Sequence, residues 1–294
     1  MSNNVNYAIL FTEQLAQKYS RELLTSGLTT PNVNFFGGNT IKIPFLSLRG
    51  YKNHSRDGGF NRQAVENRNV TRVLSHDRDV EFFVDSMDVD ETNQVLAATN
   101  LTNVFEAEHA IPETDAYRLS KIFQEFTRLG GSVDRQVLTR ENILEIYDDF
   151  MQKMDEEEVP QQGRLLFVTP AVNKLLSQSA DLHRILNVID DKSKIKRAVR
   201  MLDEVEVVVV PGGRMRTEYD FSDGFVPAAG AGQINMILVA PSSVVAVNKH
   251  SYIKLWPPGS HTLGDGYLYQ NRQYGDLFVI DSRAAGICVN ATVS

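Results

Sequence analysis

The chain has 294 residues, a formal net charge of −7, 42% hydrophobic residues and 23% charged residues. A chain of this length and composition buries a sizeable core, which excludes a disordered polymer. The negative balance argues against a protein that coats nucleic acid through its general field. Its single cysteine, Cys288, excludes an intrachain disulfide and a four-cysteine zinc site.

The first residues, MSNNVNYAILFTEQLAQKY, lack the basic and apolar regions of a signal peptide. No run of 18 apolar residues follows, so no membrane span is expected and the protein is read as folding in a cytosol. Val5, Ile9, Leu10, Leu15, Tyr19, Leu23 and Leu24 recur at roughly helical spacing. They predict a short amphipathic helix, or an arm that packs on another surface, broken by Gly27 and Pro31. Residues 35–49 read as strand, with Pro44 marking an edge because it cannot donate to a ladder.

Residues 50–79 carry few aliphatic side chains, and Arg56, Arg62, Arg68, Arg72 and Arg78 recur every four to six positions. The segment is too polar to bury by itself. It predicts a long, two-stranded exposed loop turning at Asp57-Gly58-Gly59. A monomer gains little from such a loop, whereas an oligomer lays it across neighbours, and arginine suits pairing there. The five arginines are therefore expected at inter-subunit contacts.

Residues 80–84 form a strand pattern, followed by four carboxylates, Asp85, Asp88, Asp90 and Glu91. Their spacing fails a calcium loop in both registers, because neither places glycine sixth or glutamate twelfth. Asp88 with Glu91 three residues on instead forms a capping-box pattern, and acids suit the positive end of a helix. These acids are expected to cap that helix and to accept a neighbour's arginine. The longest helical stripe then runs from Thr92 to Leu129, interrupted by HAIPET; Pro112 opens a new helix or kinks a continuing one, and Gly130-Gly131 caps the end.

Beyond it, Ile143, Tyr147, Phe150 and Met154 share a helical face, RLLFV is a buried strand, and Thr169-Pro170 caps and opens a further helix. A helical stretch over 181–189 and a basic connector over 192–202 precede strands at 204–210, 234–240 and 244–248. The tail continues in strand patterns. No HExxH, Walker A or GxSxG motif occurs. PGGRMR (211–216) reads as a surface turn, Asp155 to Glu158 as a solvated helix end, and Cys288 as a buried, inert thiol.

The order of elements, together with FFGGNTIKIP, GYKNHSRDGGFNR, DRDVEFFVDSMDVDETN and HAIPETDAYRLSKI, resembles the tailed-phage major capsid protein of the Hong Kong 97-type fold. The resemblance is densest over residues 30–130. It implies an α+β fold: an N-terminal arm (1–33), an extended hairpin E-loop (34–87), a peripheral domain with a spine helix kinked at Pro112 (88–139), an axial domain (140–248) and a return to the peripheral domain (249–294). It implies no catalytic residue, cofactor or metal. The implied partners are further copies of the chain in hexamers and pentamers, a separate scaffolding protein (the N-terminus leaves no room for a built-in one), a portal protein and decoration proteins. They would enclose double-stranded DNA without sequence-specific binding, in a virion assembled in the host cytoplasm. An encapsulin-like shell, and a metal-dependent enzyme using the 85–91 carboxylates, are the alternatives.

Overall fold

The structure is a computed structural model, and it describes residues 23–30, 35–36, 39–54, 61–62, 64–85, 102–103, 105–179 and 200–292. The expectations for residues 5–22, for the turn at Asp57-Gly58-Gly59, for the caps at Asp88, Asp90 and Glu91, and for the helix over 181–189 lie outside the described residues.

The strands are β1 (Phe35–Phe36), β2 (Thr40–Ser47), β3 (Glu66–Val73), β4 (His76–Asp85), β5 (Leu165–Val168), β6 (Met201–Leu202), β7 (Val205–Val209), β8 (Tyr219–Asp220), β9 (Val226–Pro227), β10 (Gln233–Val239), β11 (Val244–Trp256), β12 (Gly266–Val279) and β13 (Ile287–Thr292). The α-helices are α1 (Ile111–Arg128), α2 (Ile143–Glu156) and α3 (Pro170–Gln178).

The apolar run LLFV forms β5, buried at all four positions. Such a run is what a strand covered on both faces requires. β5 lies at the centre of a five-stranded sheet ordered β13-β10-β5-β7-β6. It pairs parallel with β7 and antiparallel with β10. The alternation along β5 divides the core. Leu166 and Val168 pack with Ile143, Tyr147, Phe150 and Met154 of α2 and with Val172 and Leu176 of α3. Leu165 and Phe167 face the other way, joining Leu119, Ile122 and Phe126 of α1 and Val244, Ala246, Leu277 and Val279. α1 and the five-stranded sheet thus share one core across the expected boundary at residue 140.

Two helix ends follow from local chemistry. Thr169 accepts from the Val172 N–H, with Pro170 opening α3. At the C-terminus of α1, the Gly130 N–H donates to the Thr127 carbonyl and the Gly131 N–H to the Phe126 carbonyl, with Gly130 at φ 81°. This is the Schellman arrangement, which needs a residue tolerant of positive φ. Upstream, Glu106–Ala110 forms a π-helical turn that runs directly into α1, so Pro112 falls in the first turn of the α-helix. The helix is continuous there, with the Ile111 N–H donating to the Glu106 carbonyl, so the missing N–H of Pro112 interrupts the ladder beside the π turn.

A second, three-stranded sheet is ordered β11-β12-β4. Its inward face packs on the π turn and α1. His76 stacks on Tyr117 at 3.7 Å, and Phe82 meets Phe105 and Tyr269. Sheet membership divides the chain differently from the expected segments. β4, placed with the E-loop in the sequence reading, pairs with β12 along ten positions. β13, placed with the returning tail, pairs with β10 in the five-stranded sheet. The alternation of ICVNAT announces a strand but not its neighbour; burial of Ile287, Val289 and Ala291 against the α1 side and Cys288 against the α2 side fixes it there.

Candidate assembly surface

β2 and β3 form an antiparallel ribbon in register from Thr40↔Val73 to Ser47↔Glu66. Pro44 lies past the two-residue pairing with β1, where β2 has a strand neighbour on one side only among the described residues. That is the edge position a residue without an N–H tolerates.

The base of the ribbon is clamped. Ile41 and Leu74 are buried with Val247 and Phe278, and the Leu74 N–H donates to the Asn39 carbonyl at 2.8 Å. At its far end one face is open and the other, with Phe45 and Ser47, is half-covered. Leu46 is 59% exposed, Leu48 64%, Tyr51 fully and Val65 64%. From Ile41 to Ser47 the strand reaches roughly 20 Å from its clamp. A two-stranded ribbon is marginal in water by itself, and one that also bares large apolar side chains fits a surface awaiting a partner.

The arginine series divides. Arg56 lies outside the described residues. Arg62 and Arg68 are exposed, the latter with its guanidinium 4.9 Å from the centroid of its cross-strand partner Phe45. Arg72 and Arg78, expected at neighbours, are engaged within the chain. Arg72 pairs with Asp281 at 2.6 Å. Arg78 pairs with Glu113 of α1 at 2.6 Å and donates to the carbonyls of Phe221 and Gly224. Each takes a half-buried position in the alternation of its own strand, Arg72 in β3 and Arg78 in β4. Asp85 ends β4, opposite Gly266.

Three buried polar clusters hold the body under the ribbon, and the sequence reading missed them. Asp115, fully buried on α1, accepts from the Thr25 N–H at 3.0 Å, the Thr25 hydroxyl at 2.9 Å and Arg214 at 3.2 Å. Burial raises its carboxyl above the usual range, opposed by the bonds from Thr25. Arg118, one turn on, donates to the Thr25 carbonyl at 3.1 Å and the Thr29 hydroxyl at 3.2 Å. The pair pins residues 23–30 to α1. Asp276 accepts from Ser75 and from the Tyr117 hydroxyl at 2.7 Å, tying β12 to α1 and the start of β4. Glu106, in the π turn, accepts through Oε1 from the Tyr269 hydroxyl at 3.1 Å and the Asn271 amide, while its Oε2 is buried without a partner. Burial pushes this carboxyl up to about 7. Desolvation, helped by the charge of Arg78, pulls His76 down to about 4, so it is neutral in its aromatic stack at neutral pH. For Asp115 and Glu106 the only signal in the sequence was a charged residue inside an apolar helical stripe, which periodicity alone treats as an irregularity.

Other expectations sharpen. PGGRMR is more than a surface turn: Arg214 reaches Asp115 and Met215 is fully buried. Within the acidic run, Asp155 pairs at 2.6 Å with the fully buried guanidinium of Arg164. Cys288 is buried, and burial pushes its thiol up to about 11. Among the described residues no cluster of three or more His, Cys, Asp or Glu is placed to hold a metal. No described helix is long and apolar enough to cross a membrane.

No family model matches the chain, and no curated protein matches it in sequence. Solved structures do match in shape. The mature capsid of bacteriophage PhiM1 aligns with a TM-score of 0.63 at 15% identity, over 86% of this chain and 82% of that one. The capsid of the cyanophage P-SCSP1u aligns at 0.59 and 11% identity, over 90% and 86%. The head structure of Helicobacter pylori bacteriophage KHP40 aligns at 0.57 and 8% identity, over 86% and 84%. At these identities the likeness defines the fold. The chain has the α+β, Hong Kong 97-type fold of tailed-phage capsid structures.

Proposed function

We propose that this chain is a major capsid protein. Copies associate as hexamers and pentamers and close an icosahedral head around the double-stranded DNA of a tailed phage. The observation that carries this reading is the ribbon of β2 and β3: clamped at its base, open along one face and only half-covered on the other, with exposed Leu46, Leu48, Tyr51 and Val65 at its far end. Shared architecture with phage capsids supports the same conclusion. The work of such a protein is contact and not catalysis. Each subunit meets many neighbours, so modest contacts sum to a stable shell while single wrong additions still dissociate.

In this reading Arg62 and Arg68 lie against neighbours. A separate scaffolding protein, a portal protein and decoration proteins are its partners, and assembly takes place in the host cytoplasm. The net charge of −7 suits a wall that encloses DNA without trapping it.

Negative-stain microscopy of the purified chain at rising concentration, alone and with its scaffold, tests the proposal. Closed shells, or hexameric and pentameric rings, are the expected result. A monomer under every condition overturns it, and shells from infected cells that hold no DNA overturn the head assignment.

A further inference from the structure

The π turn Glu106–Ala110 carries a carboxyl that its surroundings only half satisfy. Glu106 is 3% exposed. Its Oε1 accepts from the Tyr269 hydroxyl and the Asn271 amide, and its Oε2 is buried with no hydrogen-bond partner. Tyr269 and the neighbouring Phe105 belong to an apolar cluster with Phe82 and Ile253. A neutral carboxyl is tolerated in such a place. A carboxylate with one bare oxygen and no counter-charge is costly. Burial is the largest influence on Glu106, the bonds from Tyr269 and Asn271 oppose it, and no ionised group offsets it.

The elements packed against the turn supply no such counter-charge. On β12, Tyr269 keeps its proton, because burial and the charge of Glu106 both push its hydroxyl upward. On β4, Arg78 is paired with Glu113 of α1, and His76 is neutral in its stack. Asp77 is paired with Arg272, and Asp79 alternates to the exposed side of the strand. On the turn itself, Glu108 and His109 are exposed.

The turn is also built to move. A π turn holds one residue more than an α turn, so sliding that extra residue along the helix shifts the register by one and swings a side chain by about 100°. The ladder is already open beside it, because the Ile111 N–H bonds back to the Glu106 carbonyl and the next residue, Pro112, has no N–H. Space lies alongside: a cleft of about 660 Å³ bounded by Phe105, His109, Glu113 and Asn271. Asn271, which holds Oε1, is thus also a wall of the cleft. We infer that Glu106 is a proton-controlled latch on the register of this helix. Neutral, it holds the π turn that buries it; ionised, it swings into the cleft, and the start of α1 loosens from Tyr269 and Asn271. The step is internal to one copy, so it stands or falls apart from the proposed self-association.

Limited chymotrypsin digestion of the dispersed full-length chain tests the latch. Cutting after Phe105 reads the turn, and cutting after the fully exposed Tyr51 is the internal reference for the protease. From about pH 6 to about pH 8.5 the ratio of the two is expected to rise about tenfold, following the ionised fraction of a group at about 7. Glu106→Gln, which keeps the shape and cannot ionise, is expected to hold the ratio low at both values. His109→Asn, which removes the titratable ring of the same turn, is expected to keep the rise. Circular dichroism at each pH controls for folding. Should Glu106→Gln fail to fold, the carboxyl carbon-13 shift of Glu106 in the wild type takes its place, with a midpoint near that of the cutting expected and one near 4.5 contradicting the latch. A ratio that does not change with pH, a rise that Glu106→Gln keeps, or one that His109→Asn removes overturns it.

Discussion

The ribbon β2–β3 and the five-stranded sheet are both antiparallel for most of their length, yet they solve opposite problems. In the sheet, β5 is buried on both faces, and every second side chain enters a different layer of core. In the ribbon, Ile41 alone of β2 is buried; beyond it one face (Lys42, Pro44, Leu46) meets water and the other (Ile43, Phe45, Ser47) is only half-covered. The first is a structure complete in one chain. The second is a structure whose cover is missing, held out from a clamped base. The same contrast separates stability from assembly, and it can be broken at either end.

The largest effect belongs to the sheet. Phe167→Ala removes a fully buried ring from the layer shared by α1 and β12 and is expected to cost about 3–5 kcal/mol, read by denaturant unfolding. Loss of particles should follow only because folding is lost. A variant nearly as stable as the wild type would mean that this sheet is not the core of the chain. Next comes the clamp between residues 23–30 and α1. Asp115→Ala leaves Arg214 and the Thr25 donors facing a buried gap, at a cost of about 3 kcal/mol. Limited proteolysis should then cut near Thr25 in the folded variant before it cuts in β5.

The π turn gives a pH dependence. Glu106 has its folded value raised to about 7 from 4.5, so it is protonated in both states at low pH. Between those values the folded chain keeps the proton that the unfolded chain releases. Its contribution is therefore fully present below 4.5 and is lost as pH rises to about 7, by up to about 3 kcal/mol. His76 slopes the other way: its folded value is lowered from 6.5 to about 4, so its contribution is present above 6.5 and lost as pH falls toward 4. The informative quantity is the difference between Glu106→Gln and the wild type, which should grow in favour of the variant from pH 5 to pH 8. A difference that does not change with pH would mean that the carboxyl is not held protonated. The smallest effect on stability, and the sharpest contrast, lies in the ribbon. Tyr51→Ser with Leu48→Ser should move unfolding by no more than about 0.5 kcal/mol while abolishing particles. Equal losses of both would erase the distinction.

Much of this division was legible in the sequence, and the part that was not has one cause. Local signals survived contact with the structure. Gly130-Gly131 gave the helix end, Thr169-Pro170 a helix start, RLLFV a buried strand, and the polar, arginine-rich run an exposed ribbon. What failed were statements about partners far along the chain. Arg72 meets Asp281, and Arg78 meets Glu113, through contacts that no spacing rule reaches. The strand character of 80–84 and 285–291 was plain, but not the sheets that receive them, because alternation fixes a face and leaves the neighbour open. Asp115 and Glu106 were invisible because each looks like an interruption in an apolar stripe until the strand or loop that satisfies it is in place.

The central claim is that the ribbon is finished by another copy of the chain. Hydrogen–deuterium exchange, compared between dispersed subunits and assembled particles, tests it most directly. The amides of Glu66–Val73 are expected to exchange fast in subunits and to gain at least about tenfold protection in particles, while those of Leu165–Val168 stay protected in both. Fast exchange of Glu66–Val73 in intact particles would contradict the account.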